Sequence, residues 1–182
     1  MTMILKPLHL ACIKDETRPN MRLIEIQNNI ATATNGTILV KIDLTLTSSI
    51  EPEVLKFLNG KFIDMETWKE IHKCDTLEIY DEQIDCYKAG IKKTFYYSQA
   101  TGSFFNTNSI VEDVKTAGEE KKRIIGYGVN FIEILSKIFE AKELFFSFSP
   151  GHKGTVVFPV AEGMFAILMP IISKGTNRQI FV

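Results

Sequence analysis

Three histidines, His9, His72 and His152, are scattered along a chain of 182 residues, far from one another in sequence. A catalytic site needs a nucleophile beside a base, a pair of carboxylates or a metal cluster. No spaced motif of that kind is visible here. His72 and Cys74 could share a zinc ion only if two more ligands came from elsewhere, so they read first as a helix-end histidine and a buried thiol. Gly126-Tyr127-Gly128 precedes a helical stretch but lacks the third glycine of a dinucleotide fingerprint, and Gly60-Lys61 is followed by Phe62 where a phosphate loop needs serine or threonine. The sequence therefore points away from an enzyme, with no metal and no cofactor expected. Cys12, Cys74 and Cys86 show no CxxC spacing, and their odd number argues against a disulfide framework, so reduced thiols are expected.

Basic side chains offer a different chemistry. Lys69, Lys73, Lys137 and Lys142, with Lys121-Lys122-Arg123, are the basic residues that cluster on or beside helical stretches. Lysines on one face attract nucleic-acid phosphates without regard to base sequence. Their neighbours Glu66, Glu70, Glu133 and Glu140 make those faces mixed in sign, as in ordinary solvated helices with i, i+4 pairs. The net charge of −1 excludes a chain that is an electrostatic nucleic-acid binder as a whole, so contact with DNA has to come from a local patch.

The elements that position these residues follow from hydrophobic periodicity. A β-meander is predicted over 21–27, 30–34 and 37–46, divided by Asn28-Asn29 and by Asn35-Gly36. Asn-Gly predicts a type I′ turn, which needs positive φ at both central positions. In the third strand Ile38, Val40, Ile42, Leu44 and Leu46 alternate with Leu39, Lys41, Asp43 and Thr45, so one face is buried. A connector with a short helical turn at 53–58 comes next. From Asp64, a predicted N-cap, Met65, Trp68 and Ile71 recur at helical spacing. Three strands are predicted at 76–80, 83–88 and 91–98.

Residues 101–123 turn to Gly, Ser and Asn and then to charge, and 106–123 are read as a linker. A second unit is predicted beyond it, with a strand end at Ile124-Ile125, a cap at Asn130, a helix over 131–139 and strands at 143–149, 155–160 and 164–171. Shifting the first unit by 67 residues lays Met65, Trp68, Ile71, Leu77 and Ile79 onto Ile132, Leu135, Ile138, Leu144 and Phe146, a weak internal repeat of strand, helix and three strands. Both helices are expected to pack on a common sheet with Trp68, Ile71, Leu135 and Ile138 buried.

Composition agrees with an α+β globular chain, at 45% hydrophobic and 24% charged residues. Residues 1–14 have no basic leader and are interrupted by Lys6, Pro7 and His9, which does not read as a signal peptide. The apolar run 165–172 is too short to cross a bilayer. A cytoplasmic protein without membrane contact is expected.

Lys14-Asp15-Glu16-Thr17-Arg18-Pro19, followed by a strand and by Ala33-Thr34-Asn35-Gly36-Thr37-Ile38-Leu39, resembles the middle domain of the bacterial DNA sliding clamp, the beta subunit of DNA polymerase III. That family shows Ser-x-Asp-Glu-Thr-Arg-Pro, a strand and an Ala-Thr-Asp-Gly-x-Arg-Leu hairpin. Asn35 and Ile38 depart from it, standing where the family has aspartate and arginine. Ile125-Gly126-Tyr127, a Leu/Ile-rich helix and Phe165-Ala166-Ile167-Leu168-Met169-Pro170-Ile171 resemble the end of the last clamp domain. The resemblance is loose and covers most of the chain. It gives a clamp-like domain over 1–105, the linker 106–123 and a clamp-like half-domain over 124–182. The first clamp domain and the opening half of the last have no counterpart, so ring closure is not implied.

What the resemblance implies is a DNA-clamp-like fold of antiparallel sheets with two amphipathic helices, and a replication or repair accessory protein that binds double-stranded DNA non-specifically and tethers partners. The alternative is a clamp-derived protein-association module without DNA encirclement. Lys69, Lys73, Lys137 and Lys142 would face DNA. In clamps the two resembling segments meet to form a groove for short peptides from polymerase or repair proteins. Carried over, that groove takes Thr34, Gly36 and Leu39 from the hairpin and Ile167, Met169 and Pro170 from the final strand, with Met21 and Ile110 as companions. Self-association is a further expectation of the resemblance.

Overall fold

The computed structural model describes residues 5–101, 104–115, 127–148 and 154–170. The predicted meander forms as β1 (Leu23–Gln27), β2 (Ile30–Thr34) and β3 (Ile38–Asp43). β3 is shorter than the alternation predicted, because Asp43 caps a helical turn α1 (Leu44–Thr47) by accepting from the Thr45 N–H. A second turn, α2 (Pro52–Leu55), leads to β4 (Lys61–Asp64), a strand the connector's polar composition concealed. Asp64 then caps α3 (Met65–Ile71) as its sequence position predicted, accepting from Glu66 N–H at 2.8 Å. The strands β5 (Thr76–Ile79), β6 (Gln83–Lys88) and β7 (Ile91–Tyr96) follow.

Residues 107–115, inside the stretch read as linker, form a helix, α4 (Thr107–Lys115). Beyond it come α5 (Val129–Phe139), β8 (Phe145–Phe148), β9 (Thr155–Phe158) and β10 (Met164–Leu168). Gly128 rather than Asn130 is the N-cap of α5. The strand end expected at Ile124-Ile125 lies outside the described residues.

The type I′ expectation at Asn35-Gly36 is corrected. Only Gly36 has positive φ there, and Asn35 instead receives the Thr37 and Ile38 N–H groups on its side-chain oxygen, an Asx turn. Positive φ at both central positions of a two-residue loop occurs at Asn28-Asn29 and at Ala89-Gly90. The expectation of free thiols is corrected as well. Cys74 and Cys86 form a disulfide, with their Cα atoms 6.0 Å apart, and Cys12 is a buried free thiol.

The strands assemble into two antiparallel sheets, one of seven strands in the order β4-β1-β2-β3-β10-β9-β8 and one of three, β5-β6-β7. The seam is β3 against β10, which joins strands from both ends of the chain into one sheet. Directly opposed residues share a face, so Ile38, Val40 and Ile42 lie on the same face as Leu168, Ala166 and Met164. All six belong to the main core, with Met65, Trp68 and Ile71 of α3 and Leu135 and Ile138 of α5. Trp68 is 1% exposed and its indole N–H donates to the Lys6 carbonyl at 2.8 Å. Both helices also pack on a 3₁₀ turn at Leu8–Ala11, so they cover one face of the large sheet together as the periodicity predicted.

Candidate functional site

The other face of the large sheet is covered differently. Leu39 of β3 stands directly opposite Ile167 of β10, and Val156 of β9 continues the row. Leu39 and Ile167 are 4% and 1% exposed, and they pack with Val111 of α4 into a second, smaller cluster. Val111 thus packs α4 on the strands, and Lys41 adds a 2.7 Å bond from its ammonium to Asn108 Oδ1.

Beside that helix lies a cavity of about 380 Å³, within the range of small-ligand sites. Met21, Thr34, Gly36, Leu39, Ile110, Ile167 and Met169 all line it. These are seven of the eight residues assigned to the groove from the two resembling segments and their companions. Pro170 is not among the lining residues. Thr37, Ile38, Phe105, Thr107 and Asp113 complete the wall. Thr107 and Asp113 were missed because their segment read as a linker, although Ile110, Val111 and Val114 do recur there at helical spacing.

Local chemistry shapes the cavity. The Gly36 backbone has φ +86°, a left-handed conformation that glycine adopts without strain, and a side chain there would approach the Met21 methyl group. Thr34 Oγ1 is turned inward by two bonds, accepting from Gly36 N–H at 3.1 Å and donating to the Ile38 carbonyl at 2.8 Å. Met169 N–H donates to the Thr37 carbonyl at 2.9 Å, tying the end of β10 to the hairpin. Asp113 is the one ionisable side chain among the described residues of the lining. The arrangement can grip apolar side chains and offer a few hydroxyl, carbonyl and carboxylate partners.

The helical face carries the four lysines. Lys69 is paired with Glu66 at 3.0 Å, Lys73 follows α3, and Lys137 and Lys142 are exposed on and after α5. Lys6 pairs with Glu140 at the end of α5, and Lys93 with Glu70 at 2.9 Å. Lys121-Lys122-Arg123 lie outside the described residues. Beneath the lysines, the rings of His9 and His72 stand 4.8 Å apart. Burial, then His72, Lys73 and Lys69, push the His9 imidazole down to about 4. Burial also lowers His72. Among the described residues no group of three or more His, Cys, Asp or Glu side chains is placed to hold a metal, and no helix is long and apolar enough to cross a membrane.

Comparison with solved structures shows that these antiparallel sheets and their helices have a fold like that of the bacterial DNA sliding clamp. The chain is similar to the Caulobacter crescentus beta sliding clamp, with a TM-score of 0.63 at 15% identity, over 94% of this chain and 65% of that one. It is similar to the DNA polymerase III beta subunit of Thermotoga maritima, with a TM-score of 0.62 at 14% identity, over 90% of this chain and 60% of that one. The Bartonella birtlesii sliding clamp bound to griselimycin matches with a TM-score of 0.62 at 13% identity, over 92% and 63% of the two chains. This chain thus spans 60–65% of the length of those clamps. No protein-family model matches the sequence, and no curated protein matches it.

Proposed function

We propose that the protein is a non-enzymatic, clamp-type accessory factor of DNA replication or repair that seats a short partner peptide in the cavity between the β2–β3 hairpin and the end of β10. The observation that carries the reading is the convergence of Leu39, Ile167 and Met169 with the hairpin residues around one apolar cavity. An extended peptide with a glutamine and a leucine or phenylalanine would place its apolar side chains against these three and its amide on the Thr34–Thr37 backbone. Met169 can repack around different side chains, as thioethers do at adaptable surfaces. Titration of a labelled peptide of that type tests the reading. Absence of saturable binding to the folded chain would remove it.

The helical face supplies the second half of the proposal, weak and sequence-independent contact with double-stranded DNA through Lys69, Lys73, Lys137 and Lys142. What supports it is that α3 and α5 lie on the same face of one sheet. The interleaved Glu66, Glu70 and Glu140 keep the attraction modest. If DNA binding is absent even at low ionic strength, the protein-association module is what remains. Division of the chain into a clamp-like unit at 1–105 and a half-domain at 124–182 belongs to the same proposal, as does self-association. For the latter, the exposed Phe145–Phe158 stack beside the β8 edge offers a surface. Sedimentation with and without DNA measures both self-association and loading.

A further inference from the structure

A second cavity of about 380 Å³ lies where the end of α3 meets the β6–β7 hairpin, in a place the peptide groove does not use. Cys74 and Cys86 line it together with Glu70, Lys73, Lys88 and Lys93. The bond between the two sulfurs is therefore part of the cavity wall, and three ammonium groups surround it against one carboxylate. Lys93 Nζ sits 2.9 Å from Glu70, whereas no ion pair among the described residues engages Lys73 or Lys88. Cationic clefts concentrate anions. Disulfides react with thiolates and not with thiols. A cavity with both properties selects one class of visitor, a small thiol that carries additional negative charge.

We propose that this cavity is a thiol-exchange site for small anionic thiols, with the Cys74–Cys86 disulfide as its reacting group. The two sulfurs are not equivalent. Both residues are buried, Cys74 at 6% and Cys86 at 2% exposed, and both meet the cavity. Cys74 Sγ lies 3.3 Å from the Glu70 carbonyl oxygen, whose negative end opposes a thiolate there. Cys86 stands directly opposite Lys93 across the β6–β7 ladder, and the lysines that line the cavity favour a departing thiolate there.

The visiting thiolate attacks Cys74 Sγ. A new sulfur–sulfur bond forms, the Cys74–Cys86 bond breaks, and its electron pair leaves on Cys86. A second visiting thiolate attacks the visitor's sulfur in the mixed disulfide, which releases the symmetrical visitor disulfide and leaves Cys74 reduced. Two visitors supply two electrons, and the protons they lose end on the two cysteines. Cys12 takes no part, because it does not line this cavity and desolvation pushes its thiol up to about 12.

The test uses the full chain with reduced glutathione, an anionic thiol, and cysteamine, a cationic one, at matched thiolate concentration, quenched in acid and mapped by mass spectrometry. The expected result is a mixed disulfide on Cys74, formed by glutathione roughly tenfold faster than by cysteamine at low salt. That preference should collapse at about 1 M salt and in the Lys88→Gln, Lys93→Gln double variant. A glutathione adduct on Cys12 alone, equal rates for the two thiols, or a disulfide inert to both while the chain is folded would each overturn the proposal. If the chain is isolated with both thiols free, glutathione disulfide is added first, and failure of Cys74 and Cys86 to join under it is likewise fatal to the idea. Since the double variant could misfold, Cys86→Ser gives an independent reading: it should capture one glutathione on Cys74 from glutathione disulfide.

Discussion

Leu39 and Ile167 face each other directly across the β3–β10 ladder, on the side of the large sheet away from α3 and α5. Each is almost fully buried, yet both contribute to the floor of the cavity. Their neighbours along the strands, Ile38, Val40, Ala166 and Leu168, serve the main core on the opposite face. One pair of strands thus holds the fold together with one set of side chains and forms most of the candidate site with the alternate set, Ile38 belonging to both.

Truncation of Met169 separates those two roles. It lines the cavity but belongs only to the periphery of the small cluster. Met169→Ala should weaken a glutamine-plus-leucine/phenylalanine peptide by roughly 1–2 kcal/mol, about tenfold in Kd. Thermal unfolding should move little. Calorimetric titration beside a melting curve checks both, and an unchanged affinity would dissociate the cavity from peptide binding.

Trp68 is the most informative core position. Trp68→Ala removes a fully buried ring and its bond to the Lys6 carbonyl, and should cost roughly 3–5 kcal/mol in denaturant unfolding. Trp68→Phe retains most of the volume and should cost clearly less. Equal losses for the two would mean that the hydrogen bond, not packing, dominates.

Acid should weaken the packing that joins α3, α5 and the Leu8–Ala11 turn. The His9 ring is held near pKa 4 against an ordinary 6.5, so as pH falls the unfolded chain takes up its proton first. Stability from this residue is complete above about pH 6.5 and is lost progressively as pH falls toward 4. His72 shifts in the same direction and reinforces the loss. His9→Gln should flatten the stability profile over that window. A profile indistinguishable from the parent chain would show that other groups govern acid unfolding.

Binding of DNA by the helical face should depend on salt and on charge more than on base sequence. Lys137→Glu should weaken binding to any duplex and reduce the slope of log affinity against log salt by about 1 for each phosphate no longer neutralised. Fluorescence anisotropy over a salt series measures both. Unaltered binding in Lys137→Glu and Lys142→Glu chains would move the DNA-binding surface elsewhere.

The sequence alone determined the features that are set within a few residues. The alternation through Ile38–Ile42 fixed which side chains enter the core and which, like Leu39, face the other way. The three-to-four spacing of Met65, Trp68 and Ile71 fixed the buried face of α3, and Asp64 fixed its start. Leu39, Ile167 and Met169, placed in one groove on the resemblance of two segments, line one cavity. Only the tertiary structure decided that β10 pairs with β3, that Val111 of α4 packs on Leu39 and Ile167, and that Cys74 meets Cys86. It also decided that Glu66 pairs with Lys69 and Glu140 with Lys6. The physical reason is range. Periodicity and capping act over one or two turns of chain, whereas strand pairing, disulfide formation and the cover over a sheet face are chosen by what else must be buried nearby, and residues far along the chain supply that.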